Sequence, residues 1–370
     1  MHILAVIVGL FLVVTVLLDA FETIVLPRTV MRRIRLSNSF WDFAAKMYRK
    51  VGKRRPTPRR QALLVAWAPF VLLLLIVIWA FAVILGWAFV HWGLQTPFKG
   101  DEVDSFSQDF YFSGVTFLTL GYGDVVPIHG LGRFLAVIEA GLGFGFLALI
   151  VSYVPVLYNA FSRREVQMLL LDSRAGSEPM GSELLQRHAD SVCMSSLTPI
   201  LKDWERFGAE LLESYLSYPL LAYYRSQHDN QSWLKSLTAV MDACALIEAG
   251  FQDSPPWADE LRFQARATFA MGRHVVVDLA YILDAPPEEG PLTRLSPGQL
   301  KHIRGKLAGA GVPLRDSAAA DKHLEDIRQI YEPYVIGMAT VLMLDLPKWC
   351  EPEPLIDNWQ TSAWEGAKHF

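Results

Sequence analysis

Two long apolar runs dominate the first half of the chain. The run from Ala62 to Val90 has no charged side chain, and the run from Phe134 to Phe161 has only Glu139. About 20 apolar residues in a helix cross a bilayer, so each run predicts a transmembrane helix. A third, weaker run extends from Ile3 to Leu26. It lacks a basic n-region and a small-x-small cleavage site, and we therefore expect a retained anchor helix instead of a signal peptide.

A short apolar and aromatic segment, Phe106 to Leu118, lies between the two long runs. It is long enough for ~3 helical turns and too short to cross a bilayer, so it predicts a re-entrant helix. Thr-Leu-Gly-Tyr-Gly follows at residues 119–123. Irregular backbone at membrane depth is tolerated only where it is buried in protein or lines a cavity. Glycine reaches the alternating backbone signs that align successive carbonyls, and a row of carbonyls replaces the hydration shell of a cation, most simply K⁺.

The segment from Thr119 to Asp124 resembles the selectivity filter of potassium channels. Further matches to the two-transmembrane pore domain of that family are Pro127, Gly132, Arg133 and Gly143. The resemblance covers residues 62–161 and implies a pore-loop potassium channel of the prokaryotic type. It also implies that the permeant K⁺ is held by Thr119, Leu120, Gly121, Tyr122 and Gly123. No cofactor other than this ion is expected.

Two positions depart from the family pattern. Leu120 replaces the commoner valine, but this side chain points away from the ion path in the family. Val115 stands where some members have a glutamate that bonds behind the filter. Because Tyr111 occupies the position of an aromatic donor, we expect it to donate a hydrogen bond to Asp124 and to support the filter.

The chain contains one such filter sequence and no internal repeat of it. A ring of carbonyls around a central ion needs several strands, so we expect four copies in a closed homotetramer. The apolar helix after the filter is expected to line the inner pore. Gly143 in this helix falls at the hinge position of the family and is interpreted as a gating hinge, although glycine is also a close-packing residue in transmembrane helices.

Charged residues are unevenly distributed around the apolar runs. Residues 28–60 contain twelve Lys or Arg and one acid, Asp42. The positive-inside rule places this stretch and everything after Phe161 in the cytosol and the N-terminus outside, in a multi-pass protein of the plasma (inner) membrane. Aromatic residues within the basic stretch are typical of an interfacial helix that attracts anionic lipid headgroups, although topology alone also explains the charge. The predicted outer loop is acidic, with Asp101, Glu102, Asp104 and Asp109.

Three acidic residues interrupt the apolar runs. Asp19 and Glu22 share one face of the first helix. They either pair with basic residues of the following stretch or mark where the helix leaves the membrane, and we favour the second interpretation. Glu139 is the costliest residue of its span; it either pairs with a neighbour or faces water, and its role stays open.

Residues 162–370 show helical periodicity almost throughout, punctuated by prolines. The predicted long helices lie near Ser196–Tyr215, Gln231–Ala249, Ala258–Leu283 and Ala319–Leu346. Alternating strand patterns and a GxGxxG motif are lacking, which argues against Rossmann-type regulatory domains and cyclic-nucleotide-binding β-rolls.

Candidate ligand residues in this second half are sparse. His274 and Asp278 have a spacing that could hold a metal, but further ligands cannot be identified and a surface pair is the more ordinary interpretation. Cys193, Cys244 and Cys350 are widely spaced and lack a CxxC motif, so we expect reduced, packed thiols.

These patterns predict an all-α membrane protein in four parts: an anchor helix at 1–26, a basic linker at 27–61, a pore domain at 62–161 and a helical cytosolic domain at 162–370. A mean hydropathy of +0.25 agrees with a membrane protein. The predicted function is passive K⁺ conduction, gated by the cytosolic domain through an unidentified ligand, with neither an enzymatic activity nor a nucleic-acid partner. The alternatives are a weakly selective cation channel and a membrane-anchored receptor or scaffold with a degenerate pore.

Overall fold

The computed structural model describes residues 1–26, 36–52, 58–99, 105–191, 194–226, 231–252, 257–351 and 357. Within these ranges the chain is helical apart from loops and one pair of two-residue strands, which confirms the all-α class. The chain forms two compact units. The first, here called the membrane unit, comprises residues 1–50 and 66–159, and the second, the C-terminal unit, comprises residues 51–65 and 160–370.

The helices and strands of the first half are α1 (His2–Ile24), α2 (Leu36–Gly52), α3 (Pro58–Leu94), β1 (Phe98–Lys99), α4 (Phe106–Phe117), β2 (Val126–Pro127) and α5 (Gly130–Ala175). Three of them, α1, α3 and α5, are long and apolar enough to cross a membrane, which confirms the three predicted transmembrane helices. The short strands pair antiparallel, with Phe98 opposite Pro127.

Helix α5 extends beyond the apolar run on which its prediction was based. It continues without interruption to Ala175, because residues 162–175 contain neither glycine nor proline and repeat apolar positions at helical spacing. Met168 and Leu171 are buried on this extension. The helix ends at Gly176, whose φ of +92° is the left-handed conformation that favours glycine after a helix.

Helix α1 packs antiparallel against α3 through glycines. A Cβ atom on Gly9 would lie 2.4 Å from the carbonyl oxygen of Gly86, and one on Gly93 would lie 2.6 Å from the carbonyl oxygen of His2. Membrane helices associate through such small residues because lipid removes the hydrophobic drive between them. The two backbones therefore approach too closely for any side chain larger than hydrogen at these points.

Helix α2 runs beside the amino-terminal half of α3. The carboxylate of Asp19 accepts hydrogen bonds from the Ser37 amide at 3.0 Å, the Ser37 hydroxyl at 2.7 Å and Trp79 Nε1 at 2.9 Å. Further along α2, the ring of Tyr48 lies 6.2 Å from that of Trp67. The two contacts show that α2 and α3 run in opposite directions. Asp19 thus does more than mark the end of α1, because its buried carboxylate caps α2 from another helix.

The C-terminal unit contains α6 (Gly181–Ser191), α7 (Leu197–Ser217), α8 (Trp233–Ala249), α9 (Ala258–Ile282), α10 (Pro297–Gly309), α11 (Ala318–Gln329) and α12 (Glu332–Leu342). Single 3₁₀ turns lie at Met194–Ser196 and Pro219–Tyr223. Helix α8 is central: every residue from Trp233 to Ile247 is buried, and α6, α7, α9, α11 and α12 all contact it.

One predicted helix of this unit is wrong. The stretch near Ala319–Leu346 forms two helices, α11 and α12, separated at Ile330 and Tyr331. Pro333 has no amide hydrogen to continue the helical ladder, yet it is well tolerated in the first turn of a new helix. The other three predicted helices match α7, α8 and α9 to within two residues at each end, whereas the shorter α6 and α10 were not predicted.

A buried charged cluster fixes the loops beside α8. Arg294 contacts Asp242 at 2.6 Å and Glu332 at 3.1 Å, and Arg328 contacts Glu332 at 3.0 Å. The Tyr331 hydroxyl also donates to Asp242. The Trp349 ring lies 5.7 Å from the guanidinium of Arg294 and 5.5 Å from that of Arg328.

The cysteines for which the structure gives a position are free and buried. Cys244 lies inside α8, and burial raises the pKa of its thiol well above the ordinary value. Cys350 is also buried. Cys193 lies outside the described residues.

Candidate ion-conduction site

Helix α4 positions the loop that follows it. It has 12 residues, too few to cross a bilayer, and it packs on α3 through aromatic rings, with Phe106 5.1 Å from Phe89 and Phe110 5.6 Å from Phe81. Its last turn ends where the Leu118 amide donates to the carbonyl of Gly114. The chain therefore leaves α4 directly into residues 119–123, here called the TLGYG loop.

The TLGYG loop has an alternating backbone. Thr119, Gly121 and Gly123 have φ values of +58°, +56° and +77°, whereas Leu120 and Tyr122 do not have positive φ. Alternation of this kind turns successive carbonyls to one side, the arrangement that a dehydrated cation requires. A β-branched residue such as Thr119 is strained in the left-handed region, so its surroundings must hold it there.

Hydrogen bonds hold the start of the loop against α4. The amides of Leu120 and Gly121 both donate to the carbonyl of Val115, at 2.8 and 3.2 Å. The amide of Thr119 donates to the carbonyl of Thr116 at 3.0 Å. Leu120 and Tyr122 expose 52% and 68% of their side chains in the single chain. The backbone is thus anchored on one side and its larger side chains are uncovered.

The far end of the loop is held by a side chain of α4. Tyr111 donates from its hydroxyl to Asp124 Oδ2 at 2.7 Å, and the Val125 amide donates to Asp124 Oδ1 at 3.0 Å. This is the hydrogen bond that the sequence predicts for Tyr111. Its importance for the loop's stability stays a prediction.

The residues beyond the loop that matched the family pattern lie together. Arg133 Nε donates to the carbonyl of Pro127 at 3.1 Å. A Cβ atom on Gly132 would lie 2.9 Å from the Pro127 Cβ and 2.8 Å from the Thr96 side chain. Together with the β1–β2 pair, these contacts pack residues 126–133, which follow the TLGYG loop, against residues 96–99, which precede α4.

Gly143 lies where α5 meets the end of α4. A Cβ atom on it would be 1.8 Å from the carbonyl oxygen of Phe117, so only glycine fits. The structure shows the close-packing role that the sequence left open beside the hinge role, and α5 is continuous at this point. Its action as a hinge stays a prediction.

Glu139 pairs with a neighbour. Its Oε2 lies 3.3 Å from Nε2 of His91, and both side chains are fully buried. Nδ1 of His91 lies 3.1 Å from the hydroxyl of Thr96. Sequence reasoning missed His91, although a histidine directly after the run Ala62–Val90 and a single acid within the run Phe134–Phe161 were the available signals.

Two further groups of predicted residues have different outcomes. Asp109, expected in a solvated acidic loop, is buried in the first turn of α4, whereas Asp101, Glu102 and Asp104 lie outside the described residues. His274 and Asp278 form an exposed pair at 3.1 Å. No group of three or more potential metal ligands occurs within the described part of the chain.

Comparison with known proteins gives a family match over the same region. Residues 70–158 match a family model described as "Ion channel". The chain is 36% identical to Protein LctB of Geobacillus stearothermophilus over 20% of this chain and 63% of that protein. It is 38% identical to Two-pore potassium channel 4 of Arabidopsis thaliana over 16% of this chain and 21% of that one.

A longer alignment joins the chain to the Uncharacterized membrane protein YdjJ of Bacillus subtilis. The two are 25% identical over 50% of this chain and 54% of that protein. The chain thus spans between about half and two thirds of the length of these bacterial relatives. No solved structure matches the chain.

Proposed function

We propose that the protein is a homotetrameric channel that conducts K⁺ passively, and the match of residues 70–158 to a family model described as "Ion channel" supports this proposal. The observation that carries the proposal is the TLGYG loop, whose left-handed residues alternate at 119, 121 and 123. In this proposal the carbonyls of the loop replace the water that K⁺ sheds, and the threonine hydroxyl completes the inner site.

The tetramer follows from the number of loops. Each chain has one TLGYG sequence, and a ring of carbonyls around an axial ion needs several chains in closed symmetry. The exposed side chains of Leu120 and Tyr122 would then be covered by neighbouring subunits. The carboxyl end of α4, with its partial negative charge, would point toward the central cavity and favour a cation there.

The orientation and the partners belong to the same proposal. With residues 28–60 in the cytosol, the chain between α3 and α5 faces outward and the C-terminal unit faces inward, in the plasma (inner) membrane. The exposed Lys46 and Lys50 near the end of α2 then meet anionic lipid headgroups. The C-terminal unit controls gating by acting on α5, since α5 continues as one helix from residue 130 into residues 160–175 of that unit.

Flux from purified protein in liposomes tests the proposal. We expect K⁺ and Rb⁺ to pass and Na⁺ to be excluded. Equal passage of Na⁺ would favour a weakly selective cation channel. A folded tetramer without any flux would favour a receptor or scaffold, and a monomer would contradict the proposed assembly.

The substitution Gly121→Ala tests the alternating backbone. Alanine in the left-handed region costs roughly 1–2 kcal/mol per residue, and the cost occurs in each subunit. We expect K⁺ flux or its selectivity over Na⁺ to fall by more than about tenfold. Gly305→Ala in α10 is the matched control, because a Cβ there meets no atom within 4 Å and the position has no positive φ. Equal flux in both variants would contradict the role of the loop.

A further inference from the structure

A polar cluster lies between three helices of the membrane unit, away from the TLGYG loop. His91 near the end of α3 contacts Glu139 of α5 at 3.3 Å and Thr96 at 3.1 Å. Ser113 of α4 interacts electrostatically with the same carboxylate. All of the His91, Ser113 and Glu139 side chains are fully buried. The cluster therefore connects the helix that precedes the loop with the helix that would line the pore.

The hydrogen bonds of this cluster are incomplete. Glu139 Oε1 and the Ser113 hydroxyl are both buried without a hydrogen-bond partner. A buried carboxylate with a single hydrogen bond is costly as an isolated anion. The state with the lowest cost is the neutral pair, in which one proton is shared as imidazolium with carboxylate or as imidazole with carboxylic acid.

The surroundings of the pair are aromatic. The Phe112 ring of α4 meets the His91 ring edge-on at 5.1 Å, and Phe98 and Trp87 lie 5.9 and 6.2 Å away. Such an environment strengthens electrostatic interactions because it excludes water. The other titratable side chains described in residues 2–10 of α1 and in residues 91–145 are His2, Lys99, Asp109, Tyr111, Tyr122, Asp124, His129 and Arg133. The hydrogen bonds of His91 and Glu139, however, are to each other and to Thr96.

We propose that the His91–Glu139 pair is a proton-binding site that regulates conduction, an inference that rests on the proposed channel function. When the pair gains a second proton, Glu139 is protonated on Oε1 while the imidazolium remains, and the site has one net positive charge. The new hydroxyl donates to Ser113 Oγ, so the protonation of Glu139 changes the contact between α5 and α4. The added charge lies beside the helix that holds the TLGYG loop and disfavours a cation there.

The position of the pair explains how this change reaches the loop. Glu139 lies one helical turn before Gly143, which touches the Phe117 carbonyl at the end of α4. A shift of α5 at Glu139 is therefore transmitted to Phe117, two residues before the TLGYG loop. His91 is three residues from the end of α3, so in the proposed orientation the proton comes from the outer face.

The test is K⁺ flux from liposomes with the pH changed on each face in turn, between about pH 8 and about pH 5. We expect outside acidification to reduce wild-type flux by about fivefold or more, since one linked proton permits up to about tenfold per pH unit. The double substitution His91→Gln with Glu139→Gln keeps the shape and leaves neither partner able to take up a proton, so its flux should change by less than about twofold.

His129→Gln is the matched control. His129 is exposed in the loop before α5, so its loss should leave the pH response intact. The inference is overturned if wild-type flux ignores pH, if the double variant at residues 91 and 139 responds like wild type, or if His129→Gln alone removes the response. Absence of flux at every pH in the wild type would instead contradict the channel proposal itself.

An infrared measurement keeps the inference testable if a variant does not conduct. A pH-difference spectrum of the full chain should show the carbonyl band of a protonated buried carboxylic acid, and the band should be lost in Glu139→Gln. A band that persists unchanged in this variant would contradict protonation at Glu139. Assembly on a native gel shows whether each variant has folded.

Discussion

The membrane unit and the C-terminal unit use their large apolar side chains in opposite ways. On the membrane unit, Phe11, Phe70 and Phe81 expose more than half of their side chains. In the C-terminal unit, α8 is buried over nearly its full length. The difference is one of solvent: in water apolar burial drives folding, whereas in lipid it provides no force between helices. Contacts in the membrane unit must therefore come from close packing and hydrogen bonds.

Buried polar groups reflect the same difference. In the membrane unit they occur in small sets that each join helices, such as Asp19 with Ser37 and Trp79. In the C-terminal unit they include a larger network of two arginines, two acids and a tyrosine, beside other buried sets such as Arg164 with Glu165 and Tyr215. Three substitutions sharpen this comparison.

The largest effect is expected for Asp242→Ala in the C-terminal unit. The substitution removes the Asp242 carboxylate, whose Oδ2 lies 2.6 Å from the guanidinium of buried Arg294. Breaking such a buried ion pair costs about 3–5 kcal/mol. The free energy of unfolding of the full chain, followed by circular dichroism in denaturant, measures it. Asp278→Ala is the control, because its exposed pair with His274 contributes about 0–1 kcal/mol. Equal losses in the two variants would show that the network does not stabilise the unit.

An intermediate effect is expected for Gly9→Ala in the membrane unit. The new Cβ would lie 2.4 Å from the Gly86 carbonyl, and overpacking of this kind costs about 1–3 kcal/mol. Thermal unfolding of the detergent-solubilised protein is the measurement. Gly114→Ala is the control, since its Cβ would lie 3.9 Å from Ile84 in ordinary contact. A Gly9 variant as stable as the control would mean that α1 and α3 do not rely on this approach.

The smallest effect is expected for Asp19→Ala. It removes the acceptor of the Ser37 amide and of Trp79 Nε1, and loss of a helix cap costs about 0.5–2 kcal/mol. The readouts are thermal stability and the protease sensitivity of the chain between α1 and α3. Asp19→Asn keeps one acceptor oxygen and should fall between wild type and alanine. Identical behaviour of all three proteins would argue against the trans cap.

Local patterns were enough to predict the elements of the pore region. The apolar runs, the short segment before residue 119 and the glycines at 121 and 123 each act over a few neighbouring residues, so they are readable without a structure. The hydrogen bond from Tyr111 to Asp124 was also predicted, from the family resemblance. By contrast, the break between α11 and α12 was missed because apolar periodicity continues across it while Pro333 interrupts the backbone bonds.

The sequence by itself determined three helices long and apolar enough to cross a membrane, a short helix between two of them and a loop with alternating backbone conformation, because these depend on composition and on local backbone preference. Only the tertiary structure decided which distant groups meet. Asp19 contacts Ser37, 18 residues away, and Trp79, 60 residues away. His91 contacts Glu139, 48 residues away. Gly143 packs against the Phe117 carbonyl. Such contacts follow from the packing of helices in three dimensions, which sequence spacing alone does not fix.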